Sequence, residues 1–172
     1  MSLRPASLTP LLSPGGSMSS GDSQLYTSIA DPYQGEGKYH DATSCPLCGA
    51  VFAQGRWSWA DAPRGALREA CPACARTRDR VPAGFVTLKG SIVDGKRDYF
   101  VRVARAVEET VKAQAPLARI IAIEPQPGRI FVTTTDLELA RRIGDAVRAA
   151  HGGTLEVKVA QDRYAVRVLW YR

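Results

Sequence analysis

The chain has 172 residues, of which 45% are hydrophobic and 23% charged, and a net charge of +6. That suits one ordinary globular domain, or a small domain beside a tiny one. No apolar run reaches the about eighteen residues of a membrane span, and MSLRPASLTPLLSPGGS lacks the apolar stretch of a secretory signal, so membrane and secreted classes are set aside.

Residues 1–40 are rich in Ser, Pro and Gly and poor in bulky apolar groups. They cannot bury enough surface to offset the entropy of ordering and are expected to be a disordered tail, with translation starting at Met1 or Met18. Without a secretory signal the expected compartment is the cytoplasm, where thiols stay reduced and structural disulfides are rare.

Residues 44–82 hold all four cysteines, in CPLCG (Cys45 to Gly49) and CPACA (Cys71 to Ala75). No sustained periodicity runs through this segment, and a piece this short needs a staple in place of a core. Two Cys-x-x-Cys turns can bring four sulfurs to one tetrahedral ion, so Cys45, Cys48, Cys71 and Cys74 are expected to bind a structural Zn2+ as a four-cysteine zinc ribbon. Pro46 and Pro72 stiffen the turns. Gly49 can take the positive φ that lets backbone N–H groups approach the sulfurs. A pair of redox dithiols is the competing reading, but a thioredoxin-type dithiol needs a strand–helix setting. Between the pairs, Arg56, Trp57 and Trp59 offer a stacking-plus-charge surface, or the tryptophans cover the ribbon's apolar side. After Cys74, Arg76, Arg78 and Arg80 are candidate phosphate contacts, or a solvated linker interrupted by Asp79.

Residues 83–172 read as an α+β domain. GFVTLKG is a strand. RDYFVRVARAVEETVKAQ places Phe100, Val103, Val107 and Val111 on one helical face, with Asp98 near its start and Pro116 after its end. RIIAIE and RIFVTTT are strands joined by a Pro-Gln-Pro-Gly hairpin. A second helix follows, with a Thr135/Glu138 capping box, a stripe of Leu139, Ile143, Ala146, Val147 and Ala150, and Gly152 past its end. TLEVKVA and RYAVRVLWY form a last hairpin about Gln161-Asp162. The order β-α-β-β-α-β-β matches a split β-α-β, ferredoxin-like pattern with one strand added, both helices lying on one face of the sheet. Glu108-Glu109 reads as a wet helix face, and His151 as a cation suited to a helix C-terminus. Arg163 and Arg167 extend a basic sheet face weakly. Catalytic motifs are absent from the sequence, so the expectation is a protein that is not an enzyme.

CPLCGAVFAQGRWSWA and CPACARTRDRVPAGFVTLKG, followed by TTTDLELARRIGDAV, resemble the zinc-binding N-terminal part of the large-ribosomal-subunit nuclear export adaptor family. Short bacterial proteins grouped with that family are more similar still, and the likeness covers about residues 44–172. The eukaryotic and archaeal members carry further Cys-x-x-Cys pairs and domains beyond the two pairs and the α/β part in this sequence, so nuclear export is not implied. The resemblance implies a zinc module that engages ribosomal or other RNA surfaces. The expected function is therefore a non-enzymatic zinc-binding protein docking on structured RNA, the ribosome or a subunit first among them. A protein–protein interaction adaptor is the alternative.

Overall fold

The computed structural model describes residues 29–34 and 39–172, so most of the tail expected over residues 1–40 lies outside the described residues. The cysteine-bearing segment forms four short strands: β1 (Thr43–Ser44), β2 (Val51–Ala53), β3 (Arg56–Ser58) and β4 (Leu67–Arg68), in the order β3-β2-β1-β4. β2 and β3 are joined by Gln54 and Gly55, both at positive φ, the turn geometry that matches right-handed strand twist. A helix, α1 (Pro72–Asp79), closes the ribbon. Periodicity missed this helix because its buried side is Pro72, Ala73, Ala75 and Arg76, with an arginine where a hydrophobe would mark a stripe.

The remainder runs β5 (Gly84–Lys89), α2 (Ser91–Gly95), α3 (Arg97–Lys112), β6 (Ile120–Gln126), β7 (Arg129–Thr134), α4 (Leu137–His151), β8 (Thr154–Val159) and β9 (Val166–Tyr171). The chain is thus α+β, a cysteine-clustered ribbon followed by a β/α-rich domain. Its five-stranded sheet has the order β6-β7-β5-β9-β8, with β5 and β9 parallel and the other neighbours antiparallel. The split pattern occupies β5 to β8, with α2 as an extra turn. The added strand does not extend the edge. β9 folds back from β8 and enters between β8 and β5, because Val166, Val168 and Trp170 are fully buried, whereas β8 has no buried residue and takes the edge.

Helices α3 and α4 pack on one face around Phe100, Ala104, Val107, Leu139, Ala140, Ile143 and Val147. The expected stripe on α4 needs one correction: Ala150 is exposed, and Ala140 and Gly144, one turn apart, are buried instead. A Cβ at Gly144 would lie 2.5 Å from Val168 Cγ1, and one at Gly84 would lie 2.1 Å from Thr134 Oγ1 and 2.5 Å from the Ala140 Cβ. Small residues at both places let α4 settle directly onto β5 and β9.

Other local readings shift by a residue or change sign. The N-cap of α4 is Asp136, whose carboxylate accepts the Leu139 N–H at 2.8 Å. Thr135 is diverted: its hydroxyl donates to the Leu117 carbonyl at 2.6 Å and accepts from the Arg119 N–H at 2.9 Å. Glu108 is buried, accepting the Ile120 N–H at 2.6 Å and pairing with Arg105 at 2.9 Å, so it anchors β6 to α3. His151 stacks among Tyr99, Phe100 and Trp170, and burial, with Lys96 and Arg172 nearby, pushes its pKa down and favours the neutral ring over a dipole-bound cation. The last turn spans Ala160 to Ala165, and β9 begins at Val166. Among the described residues, no helix is long and apolar enough to cross a membrane.

Candidate metal centre

The two Cys-Pro-x-Cys strings adopt different backbones. The first is a turn between β1 and β2: the Cys45 N–H donates to the Ala50 carbonyl at 2.8 Å, the Gly49 N–H to the Cys45 carbonyl at 2.9 Å, and Gly49 sits at φ 81°. The second is a helix N-terminus. Cys71 is the N-cap of α1, Pro72 opens the first turn, and Cys71 Sγ accepts the Cys74 N–H at 3.5 Å. Between them, Cys45 Sγ accepts the Cys71 N–H at 3.3 Å.

All four sulfurs lie within 4.8 Å of one another, and Cys48 Sγ is 3.7 Å from Cys71 Sγ. Sulfurs on a tetrahedral ion at about 2.3 Å are spaced by roughly 3.8 Å, so the cluster fits a four-coordinate, thiolate-preferring cation. The four cysteines are free thiols. Burial and the charges of the other cysteines push the Cys74 thiol up to about 11 and Cys71 higher still. At Cys45 burial also opposes ionisation, but N–H donors from Cys71, Leu47 and Cys48 outweigh it and hold the thiol at about 7. Without a cation, four thiolates here would repel; a bound divalent ion supplies the missing charge. An ion bound by all four would have no open position, the arrangement of a structural rather than a catalytic site.

Arg119, at the entrance to β6, completes the surroundings. Its Nη1 lies 3.7 Å from Cys74 Sγ, and its guanidinium sits 5.7 Å over the Trp59 ring. It comes from the second domain, so no spacing within the ribbon marked it. Trp59 Nε1 donates to the Lys112 carbonyl at 2.7 Å, and Leu117 packs on the ribbon's cluster of Cys45, Ala50, Trp57, Cys71 and Ala73. The centre therefore sits where ribbon and sheet domain meet.

The candidate RNA contacts separate into two groups. Arg56, Trp59, Arg78 and Arg80 are exposed. Trp57 is buried edge-on against Tyr39, 5.0 Å between centroids, with Phe52 beside it, so it covers the ribbon's apolar side. Arg76 is buried and pairs with Asp31 at 2.5 Å, donates to the Val81 carbonyl at 3.0 Å, and lies over the rings of Tyr33 and Tyr164. It is a clamp between α1, residues 31–33 and the β8–β9 loop, with no surface left for phosphate. Its tyrosine and aspartate partners lie more than forty residues away in either direction, which hides the role from local sequence.

No protein-family model, curated protein or solved structure matches the chain.

Proposed function

We propose that the chain is a non-enzymatic cytoplasmic protein whose structural Zn2+, held by Cys45, Cys48, Cys71 and Cys74, stiffens a ribbon that docks on structured RNA, the ribosome or a ribosomal subunit. The observation that carries this reading is the exposed arginine surface mounted on a metal-stapled module. Arg56, Arg64, Arg68 and Arg80 are exposed and, among the described residues, have no ion-pair partner; Arg78 is exposed beside Asp79. Arginines held on a rigid frame suit phosphate recognition, and the net charge of +6 favours a polyanion. The sequence likeness to the export adaptor family's zinc module supports the same choice.

The test is cosedimentation of metal-loaded protein with ribosomes, with and without a chelator and across a salt series. Association at low salt, a steep fall as salt rises and loss on chelation are expected. Protein that stays in the supernatant at low salt with its metal in place removes the reading.

An adaptor that binds a protein is the second reading, favoured by Leu47, Leu67 and Trp59, which are exposed on the ribbon. Its complexes would survive nuclease treatment and depend little on salt.

A further inference from the structure

Strand alternation gives the five-stranded sheet a second face, opposite α3 and α4. The registers arrange it as three rows across β6, β7, β5, β9 and β8. The first is Ala122, Thr133, Phe85, Arg167 and Lys158; the second is Glu124, Phe131, Thr87, Leu169 and Glu156; the third is Gln126, Arg129, Lys89, Tyr171 and Thr154. The three central strands contribute three aromatic rings, three cations, two threonines and a leucine to this face, and no carboxylate. Glu124 and Glu156 stand on the two edge strands, and Lys158 lies 3.7 Å from Glu156. Among the described residues, Lys89, Arg129 and Arg167 have no ion-pair partner.

We infer that this open face binds single-stranded RNA, with bases stacked on Phe85, Phe131 and Tyr171 and phosphates held by Lys89, Arg129 and Arg167. Phe85 and Tyr171 are 37% and 40% exposed, a costly placement for large rings at the centre of a sheet unless something covers them. Phe85 and Phe131 are diagonal neighbours on adjacent strands, about 7–8 Å apart by sheet geometry, close enough for one strand of nucleic acid to touch both. Arg129 already lies over Phe131, 5.0 Å from its centroid, ready to stack on a base from the ring's flank. The face ends in a depression at each side. One, of about 580 Å³, is lined by Phe85, Arg167, Lys158, Arg80 and Arg163; the other, of about 320 Å³, by Lys89, Leu169, Tyr171 and Arg172. Asp162, paired with Arg163 at 3.4 Å, is the acid lining them. A basic, ring-bearing track thus runs along β5 and β9 from the ribbon junction to the far end of the sheet. Cations alone would serve an acidic peptide or a duplex; exposed rings between them add stacking, which only unpaired bases use. The hydroxyls of Thr87 and Thr133, in register with Phe131 and Phe85, suit ribose 2′-OH groups and select RNA.

The choice of polymer rests on the RNA reading above, but of the ribbon's exposed arginines only Arg80 also borders this face, and the variants below leave it unchanged, so the two fail differently. The experiment is fluorescence anisotropy of the full metal-loaded chain with a labelled octauridylate, the matching DNA and an RNA duplex. The variants are Phe85→Ala with Phe131→Ala, Phe131→Tyr, Arg167→Glu and, on the ribbon, Arg56→Glu with Arg78→Glu, each checked for unchanged thermal unfolding. Loss of roughly tenfold or more in affinity for each ring removed, near-full retention by Phe131→Tyr, and a shallower salt dependence in Arg167→Glu are expected. The ribbon variant should keep oligomer binding while weakening ribosome association. Oligomer binding that depends on the rings, in a protein that ignores ribosomes, keeps this site and removes the ribbon reading. Ribosome association with oligomer binding absent or indifferent to the rings overturns the sheet site. Equal or tighter binding of the DNA or the duplex overturns the assignment to single-stranded RNA.

Discussion

The ribbon and the sheet domain are two solutions to the same problem. The sheet domain buries nineteen residues in one cluster, led by Trp170, Phe100, Leu88 and Ile143. The ribbon's cluster has five, two of them cysteines and two alanines, with Trp57 the single large side chain. Apolar burial sustains the first; it cannot offset the ordering entropy of the second. The difference teaches where a metal would act: an ion held by the four clustered thiols would replace a core that the ribbon has too few residues to build.

If the ribbon holds the proposed Zn2+, removing it breaks the comparison most severely. Structural zinc contributes on the order of 10 kcal/mol to small domains of this type. Chelation, or Cys71→Ser, should therefore melt residues 43–79 and leave the sheet domain folded. Hydrogen exchange would read this as lost protection over β1 to α1 with protection retained in β5, β7 and β9. A ribbon that stays protected in chelator would show that burial alone sustains it.

The converse substitution is Phe100→Ala. Phe100 is fully buried and contacts Trp170 with centroids 5.6 Å apart. The cavity should cost the sheet domain about 3–5 kcal/mol, seen in the urea midpoint, while the metal-to-protein ratio stays unchanged. Loss of metal in this variant would mean that the centre depends on the domain's core as well as on its own ligands.

A finer contrast lies inside the ribbon, between the two Cys-Pro-x-Cys strings. Gly49 follows the first at positive φ, and Ala75 follows the second inside a helix. Gly49→Ala strains a turn and Ala75→Gly loosens a helix, each by about 1 kcal/mol. Competition with a chromophoric chelator should show both variants weakened. The reciprocal exchange, each string given the other's following residue, should weaken binding about additively; full recovery would mean that either backbone can serve either position.

These contrasts mark what the sequence exposes and what it hides. The paired cysteine spacing located the sulfur cluster, and alternation at β5, β8 and β9 with β-branched runs at β6 and β7 located the strands, because these signals are local. Three features were hidden for a shared reason: their partners are distant in sequence. Arg76 reads as part of a basic run, yet it is buried against Asp31, Tyr33 and Tyr164. Arg119 reaches Cys74 from 45 residues away. β9 enters the sheet between β8 and β5, where its three fully buried residues outcompete the half-polar β8 for the interior. The cap of α4 was misplaced by one residue because Thr135 and Asp136 are both good caps, and a tertiary bond from Thr135 to Leu117 chose between them.

That choice of cap leaves the smallest predicted effect, a dependence on pH. Burial pushes the Asp136 carboxyl up; the Leu139 N–H pulls it down, and the charges of Glu138 and Asp31 add to the rise. A raised folded value means that the folded protein holds this proton more tightly than the unfolded chain. Its contribution is complete below the ordinary carboxylate range near about 4, and is lost as pH rises through the raised value. At neutral pH the fold thus carries an ionised, partly desolvated cap. Asp136→Asn keeps a side-chain oxygen for the Leu139 N–H and cannot ionise. Urea midpoints of the two proteins should diverge between pH 4 and pH 7 in favour of asparagine, with ribbon and metal unaffected. A constant gap over that range would mean the carboxylate ionises here without penalty, and that the α4 cap is solvated as freely as one on the ribbon's surface.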